Sequence, residues 1–131
     1  MAERPGLSEA EMEVLKALWS EGPATVRRIN ELLADRGWAY TTVLTLLRRL
    51  VVKGYATSEA SGVAHVFRAA VTREEVLERR LKDTADELCD GSAVPLVLAL
   101  VQGHKFSTGE LARLRRLLDQ AAARPRRPRS T

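Results

Sequence analysis

Residues 40–54 read Tyr-Thr-Thr-Val-Leu-Thr-Leu-Leu-Arg-Arg-Leu-Val-Val-Lys-Gly, and the rest of the chain is organised around them. As a helix, this stretch sets Val43, Leu46, Leu47 and Leu50 on one side, the i, i+3, i+4, i+7 spacing of a buried stripe. Thr41, Thr45 and Arg48 then fall on the opposite side, with Thr42 and Arg49 on its shoulder. Short hydroxyls near the N-terminus, followed by guanidinium groups one to two turns later, suit contacts with base edges or phosphates. Gly54 can adopt the left-handed conformation that ends a helix. A merely solvated amphipathic face is the plain alternative, so the neighbouring elements decide.

Upstream, Ser8 and Glu11 have the spacing of a capping box. Met12, Leu15, Leu18 and Trp19 share one face, giving a helix that stops before Glu21-Gly22-Pro23, with Trp19 as a core residue. Thr25 suits the N-cap of a second helix through Val26, Ile29, Leu32 and Leu33, ending at Arg36-Gly37. Two short helices and a tight glycine-containing turn, the second partner polar and basic outside, form the helix-turn-helix arrangement. Downstream, Tyr55–Glu59 and Val63–Arg68 flank the turn-like Ala60-Ser61-Gly62 and predict a β-hairpin. Three helices and a hairpin are the order of a winged helix-turn-helix domain. The hairpin is then a wing able to touch phosphates or the minor groove. His65 and Arg68 lie on or near it; His65 alternates with Val66 and is read as an outward-pointing surface residue rather than a metal ligand.

Thr72 and Glu75 repeat the capping spacing and open a long helix through Val76, Leu77, Leu81, Ala85 and Leu88, closed by Asp90-Gly91. The run Ala93–Val101 is nearly all apolar, with Pro95 acceptable only in a first turn. Ser107 and Glu110 cap a last helix carrying Leu111, Leu114, Leu117 and Leu118. So small a segment has little of its own to bury an apolar helix against. A second copy would solve this, since a two-fold interface is self-complementary. The expectation is a mainly α protein: a winged helix-turn-helix over 7–70, a helical dimerisation region over 71–121 and a disordered basic tail over 122–131. Val76, Leu81, Leu88, Leu96, Leu98, Leu100, Leu114 and Leu117 are the expected dimer contacts. The arginine-proline tail reads either as a non-specific phosphate contact or as a solubilising end.

Composition narrows the function classes. Of 131 residues 45% are hydrophobic, enough for a packed core, and arginine far outnumbers lysine within a net charge of +4. Arginine is the better residue for phosphate and base recognition. The single cysteine, Cys89, allows no internal disulfide and no multi-cysteine metal cluster, which fits a reducing, cytoplasmic setting. No apolar run approaches the roughly 18 to 20 residues that cross a bilayer, and the N-terminus MAERPGLSEAE does not read as a signal peptide. There is no glycine-rich phosphate loop, no Cys/His pair and no flanked carboxylate pair, so neither an enzyme nor a cofactor or metal site is expected. Two other classes stay open on the residues alone: a winged-helix protein-interaction module without specific DNA binding, and a redox-responsive regulator using Cys89.

The run from Trp38 to Gly54, with its Thr-Thr-Val-x-Thr core, resembles the recognition helix of the penicillinase-repressor family, the BlaI/MecI/CopY group, closest to the BlaI-like branch. The Glu-x-Glu-Val-Leu-x-x-Leu-Trp pattern at Glu11–Trp19, the Leu96–Val101 run and the Phe106–Leu118 segment are similar too, so the resemblance spans roughly 7–120. It implies a homodimeric repressor whose winged helix binds a palindromic operator and whose C-terminal helices dimerise. It places Thr41, Thr42, Thr45, Arg48 and Arg49 on DNA, with Lys53 and the wing near His65 on the backbone. It further implies inactivation through a membrane sensor-protease that signals cleavage in the dimerisation region. The family's scissile Asn-Phe pair falls at Ala99-Leu100 here, so the resemblance implies a cleavage region at Ala99-Leu100 with a different protease specificity, or another inducing mechanism. The paired Cys-x-Cys motifs of copper-responsive relatives are missing, and Ala39-Tyr40 stands where some relatives have Ser-Pro.

Overall fold

The computed structural model describes residues 4–124. Helix α1 (Glu9–Glu21) starts on the expected capping box: Ser8 Oγ accepts from the Glu11 N–H at 3.1 Å, and the Ser8 N–H donates back to the Glu11 carboxylate at 2.8 Å. Gly22, at φ 83, turns the chain out of the helix. Strand β1 (Ala24–Thr25) leads directly into α2 (Val26–Leu32), where the Thr25 hydroxyl accepts from the Arg28 N–H. Helix α2 ends earlier than Arg36; Ala34–Arg36 form a separate 3-10 turn closed by left-handed Gly37. Helix α3 (Tyr40–Lys53) begins without a side-chain cap, because Ala39 has no oxygen to offer, and ends at left-handed Gly54 as expected.

Strands β2 (Ala56–Ser61) and β3 (Ala64–Ala69) make the hairpin. Its turn falls at Gly62-Val63, later than the Ala60–Gly62 expected, and β1 adds to the far edge of β3 to give the order β1-β3-β2. The pairs Ala24↔Phe67 and Thr25↔Val66 tie the start of α2 to the wing.

Val14, Leu15 and Leu18 of α1, Ile29 of α2, Phe67 of β3 and the stripe Val43, Leu46, Leu47 and Leu50 of α3 close one core. Full burial of each such side chain contributes about 1.5–3 kcal/mol, so the inner face of α3 fixes the direction of its outer face. Trp19 packs at the edge of this core, half-buried. Its Nε1–H donates to the Val71 carbonyl at 2.8 Å, and the Arg73 guanidinium lies 5.5 Å from its ring centroid.

Three helices follow: α4 (Arg73–Leu88), α5 (Val94–Gly103) and α6 (Thr108–Ala123). The Thr72 hydroxyl caps α4 by accepting from the Glu75 N–H, Pro95 sits in the first turn of α5, and Ser107 and Glu110 form a full capping box on α6. Asp90 (φ 52) and Gly91 (φ 84) turn the chain between α4 and α5. The chain divides into two compact units between Arg80 and Leu81, inside α4. Val76, expected among the dimer contacts, instead packs half-buried against the core of the winged-helix unit.

The second unit, from Leu81, has a different character. Ala85 is its one buried residue among those described. Leu88 is 74% exposed and Val94 61%; Leu81, Leu98, Leu100 and Leu117 are also exposed, while Leu96 and Leu114 are half-buried. Among the described residues no helix is long and apolar enough to cross a membrane. Helix α6 reaches Ala123, two residues into the expected tail, and 125–131 lie outside the described residues.

Candidate nucleic-acid interface

With its inner stripe anchored, α3 presents Thr41, Thr42, Thr45, Arg48 and Arg49 to solvent, the five positions expected from helical spacing. Thr45 Oγ1 donates to the Thr41 carbonyl one turn back at 2.9 Å, leaving its lone pairs outward.

The arginines of α2, of the 3-10 turn after it and of the wing are each paired with a carboxylate. Arg27 meets Glu31 at 3.4 Å, Arg28 meets Glu21 at 2.8 Å, Arg36 meets Glu13 at 2.7 Å, and Arg68 meets Glu59 across the wing at 3.8 Å. Arg48 and Arg49 have no hydrogen bond or ion pair among the described residues. Their charge is uncommitted among the described residues. A bidentate fork of this kind suits guanine or a phosphate.

Beside α3 lies a cleft of about 570 Å³ shared with the wing. Leu44, Val51 and Phe67 are among its apolar lining; Arg48, His65, Val52 and Val63 also border it. His65 is exposed, as its alternation with Val66 suggested. The hairpin register, however, pairs it with Ala60 on the same sheet face as Phe67, so it shares the cleft with Arg48 instead of turning away from α3.

Two residues escaped the sequence reading. Val52 is 86% exposed and Val63, at the wing turn, 107%. Val52 continues the outer face four residues after Arg48, a spacing visible in the sequence but passed over because the residue is apolar. Val63 could be found only with the turn correctly placed.

Lys53 stands apart from the other site residues. Its ammonium is 2.6 Å from the Glu11 carboxylate and 2.9 Å from the Gly6 carbonyl, so it serves the protein's own scaffold. Glu11 is only 2% exposed. Burial alone would raise its pKa, but the hydrogen bond from Lys53, the Ser8 N–H and the Lys53 charge together hold it below the ordinary carboxylate value. Among the described residues no group of three or more His, Cys, Asp or Glu side chains is placed to hold a metal.

Comparison with known proteins places this geometry among others. Residues 7–120 match the profile of the family described as penicillinase repressor. The transcriptional regulator BlaI of Mycobacterium tuberculosis is 32% identical over 94% of this chain and 90% of its own length. The penicillinase repressor of Bacillus licheniformis is 25% identical over 92% and 94%. Among solved structures, the DNA-binding domain of the repressor BlaI aligns with a TM-score of 0.51 at 26% identity, covering 57% of this chain and 93% of that domain.

Proposed function

The chain belongs to the penicillinase repressor family, and we propose that it is a DNA-binding transcriptional repressor acting as a homodimer on an inverted-repeat operator. One observation carries the reading. Arg48 and Arg49 stand exposed and unpartnered on the outer face of α3, while Arg27, Arg28, Arg36, Lys53 and Arg68 are each matched to a carboxylate. In this reading α3 enters the major groove, Thr41, Thr42, Thr45, Arg48 and Arg49 meet bases and phosphates, and His65 on the wing meets the backbone. Lys53, already engaged by Glu11 and Gly6, anchors the end of the helix.

Exposed leucines of the second unit support the homodimer reading. Leu81, Leu88, Leu98, Leu100 and Leu117 are left in water by a single chain, and a two-fold copy of the same surface would cover them. Release from DNA would then come from a signal acting on this unit. Cutting at Ala99-Leu100 by an upstream sensor-protease would require α5 to unwind first, since that bond lies inside the helix. A signal that separates the two copies needs no such step.

Selection of bound duplexes from a randomised pool, followed by sedimentation of the complex, tests the reading. Enrichment of an inverted repeat, with half-sites about one helical turn or a multiple apart and two chains per duplex, is the expected result. Failure to enrich any sequence would point to a protein-binding winged helix instead.

A further inference from the structure

The segment Arg4–Ser8 forms an irregular strap at the C-terminal end of α3. Three hydrogen bonds fasten it there. Arg4 Nε donates to the Gly54 carbonyl at 2.9 Å, the Tyr55 hydroxyl donates to the Pro5 carbonyl, and Lys53 Nζ donates to the Gly6 carbonyl. The Arg4 guanidinium also lies over the Tyr55 ring, 6.0 Å from its centroid. Gly54 permits the approach: a Cβ there would stand 3.4 Å from Arg4 Nε, on a backbone at φ +88 that side chains rarely adopt.

Only one donor group of Arg4 is used by these contacts. Its two Nη groups have no hydrogen-bond or ion-pair partner among the described residues, and the side chain is exposed. Arg49 and Lys53 are one turn apart on the same side of α3, and Arg4 is fastened just past the helix end, at the Gly54 carbonyl. Glu11 neutralises Lys53, which leaves Arg49 on this side of the helix and Arg4 past its end as charges without a carboxylate partner among the described residues. An arginine already held at Nε and over a ring has less conformational freedom left to lose on binding.

We propose that Arg4 is a further phosphate-contacting residue of the nucleic-acid interface, carried to the end of the recognition helix by the strap. This rests on the DNA-binding reading above. The structure supplies what a phosphate contact needs: a fixed guanidinium, two free donor groups and a place beside the presented helix.

The test is a salt titration of the full chain on two duplexes, the selected inverted repeat and an unrelated sequence of equal length. It compares wild type with Arg4→Gln and Arg4→Lys. Each neutralised phosphate contributes about 0.9 to the slope of log affinity against log salt. Arg4→Gln is expected to lower that slope by about 0.9 per bound chain and to weaken both duplexes by the same factor. Arg4→Lys should restore the slope. A wild-type slope in Arg4→Gln, whatever its affinity, would overturn the proposal and leave the strap as a prop for α3. If wild type itself binds neither duplex, the DNA-binding reading fails, and the role of Arg4 falls with it.

Discussion

The two units of this chain treat their apolar residues in opposite ways. In the winged-helix unit the stripes of α1, α2 and α3 meet one another and the wing, and every buried hydrophobic residue of the described chain except Ala85 belongs to it. The second unit has more apolar helix than anything to cover it, and Leu88, Val94 and Leu118 stand mostly in water. The contrast teaches that amphipathic pattern alone does not make a core. The first unit buries its stripes within one chain, whereas the second leaves most of its large apolar side chains exposed.

The strongest way to break this comparison is a charge in the second unit. Leu98→Asp should give a monomer by sedimentation and weaken operator binding by at least about 100-fold, since an unpaired buried carboxylate costs several kcal/mol. A variant that stays dimeric would show that the exposed leucines are not the interface. Next comes a matched pair of truncations. Leu47→Ala, in the closed core, is expected to cost about 2–5 kcal/mol of stability at any protein concentration. In the homodimer proposed above, Leu117→Ala should show a cost that depends on concentration. Identical concentration behaviour in thermal melts of the two would erase the distinction.

Arg48→Ala probes the polar face without touching either core. It should weaken specific binding by about 1–3 kcal/mol if Arg48 reads a base, with the melting temperature unchanged. A fall of equal size on an unrelated duplex would make it a phosphate contact. The smallest effect concerns Glu11. Its pKa is depressed in the folded chain, so its contribution is present above the unfolded carboxylate value of about 4.3. That contribution is lost as pH falls through the lower, folded value. Glu11→Gln should therefore flatten the acid limb of stability against pH. An unchanged limb would remove the Glu11–Lys53 pair from the account.

Much of the first unit was legible in the sequence because its signals are local. Ser8, Thr25, Thr72 and Gly54 mark helix ends through hydrogen bonds or backbone conformations within a few residues, and the α3 stripe declares its own outer face. What stayed hidden depends on distant partners. Strand β1 is two residues long and exists only because β3 passes beside it. The resemblance sets Lys53 on the DNA backbone, and nothing local announces its ion pair with Glu11, 42 residues away. His65 was rightly read as exposed, yet its orientation towards α3 needed the hairpin register, which its misplaced turn concealed. Val76 followed the periodicity of α4 but is claimed by the core before it.

The hydrogen bond from Thr45 to the Thr41 carbonyl also constrains the vocabulary of any operator. A hydroxyl whose proton is committed to its own helix can only receive. Along the major groove, adenine and cytosine offer an amino proton, while guanine and thymine offer keto oxygens. Facing a base edge, Thr45 would sort amino from keto bases and so tell one strand from the other, while remaining indifferent between A·T and G·C pairs.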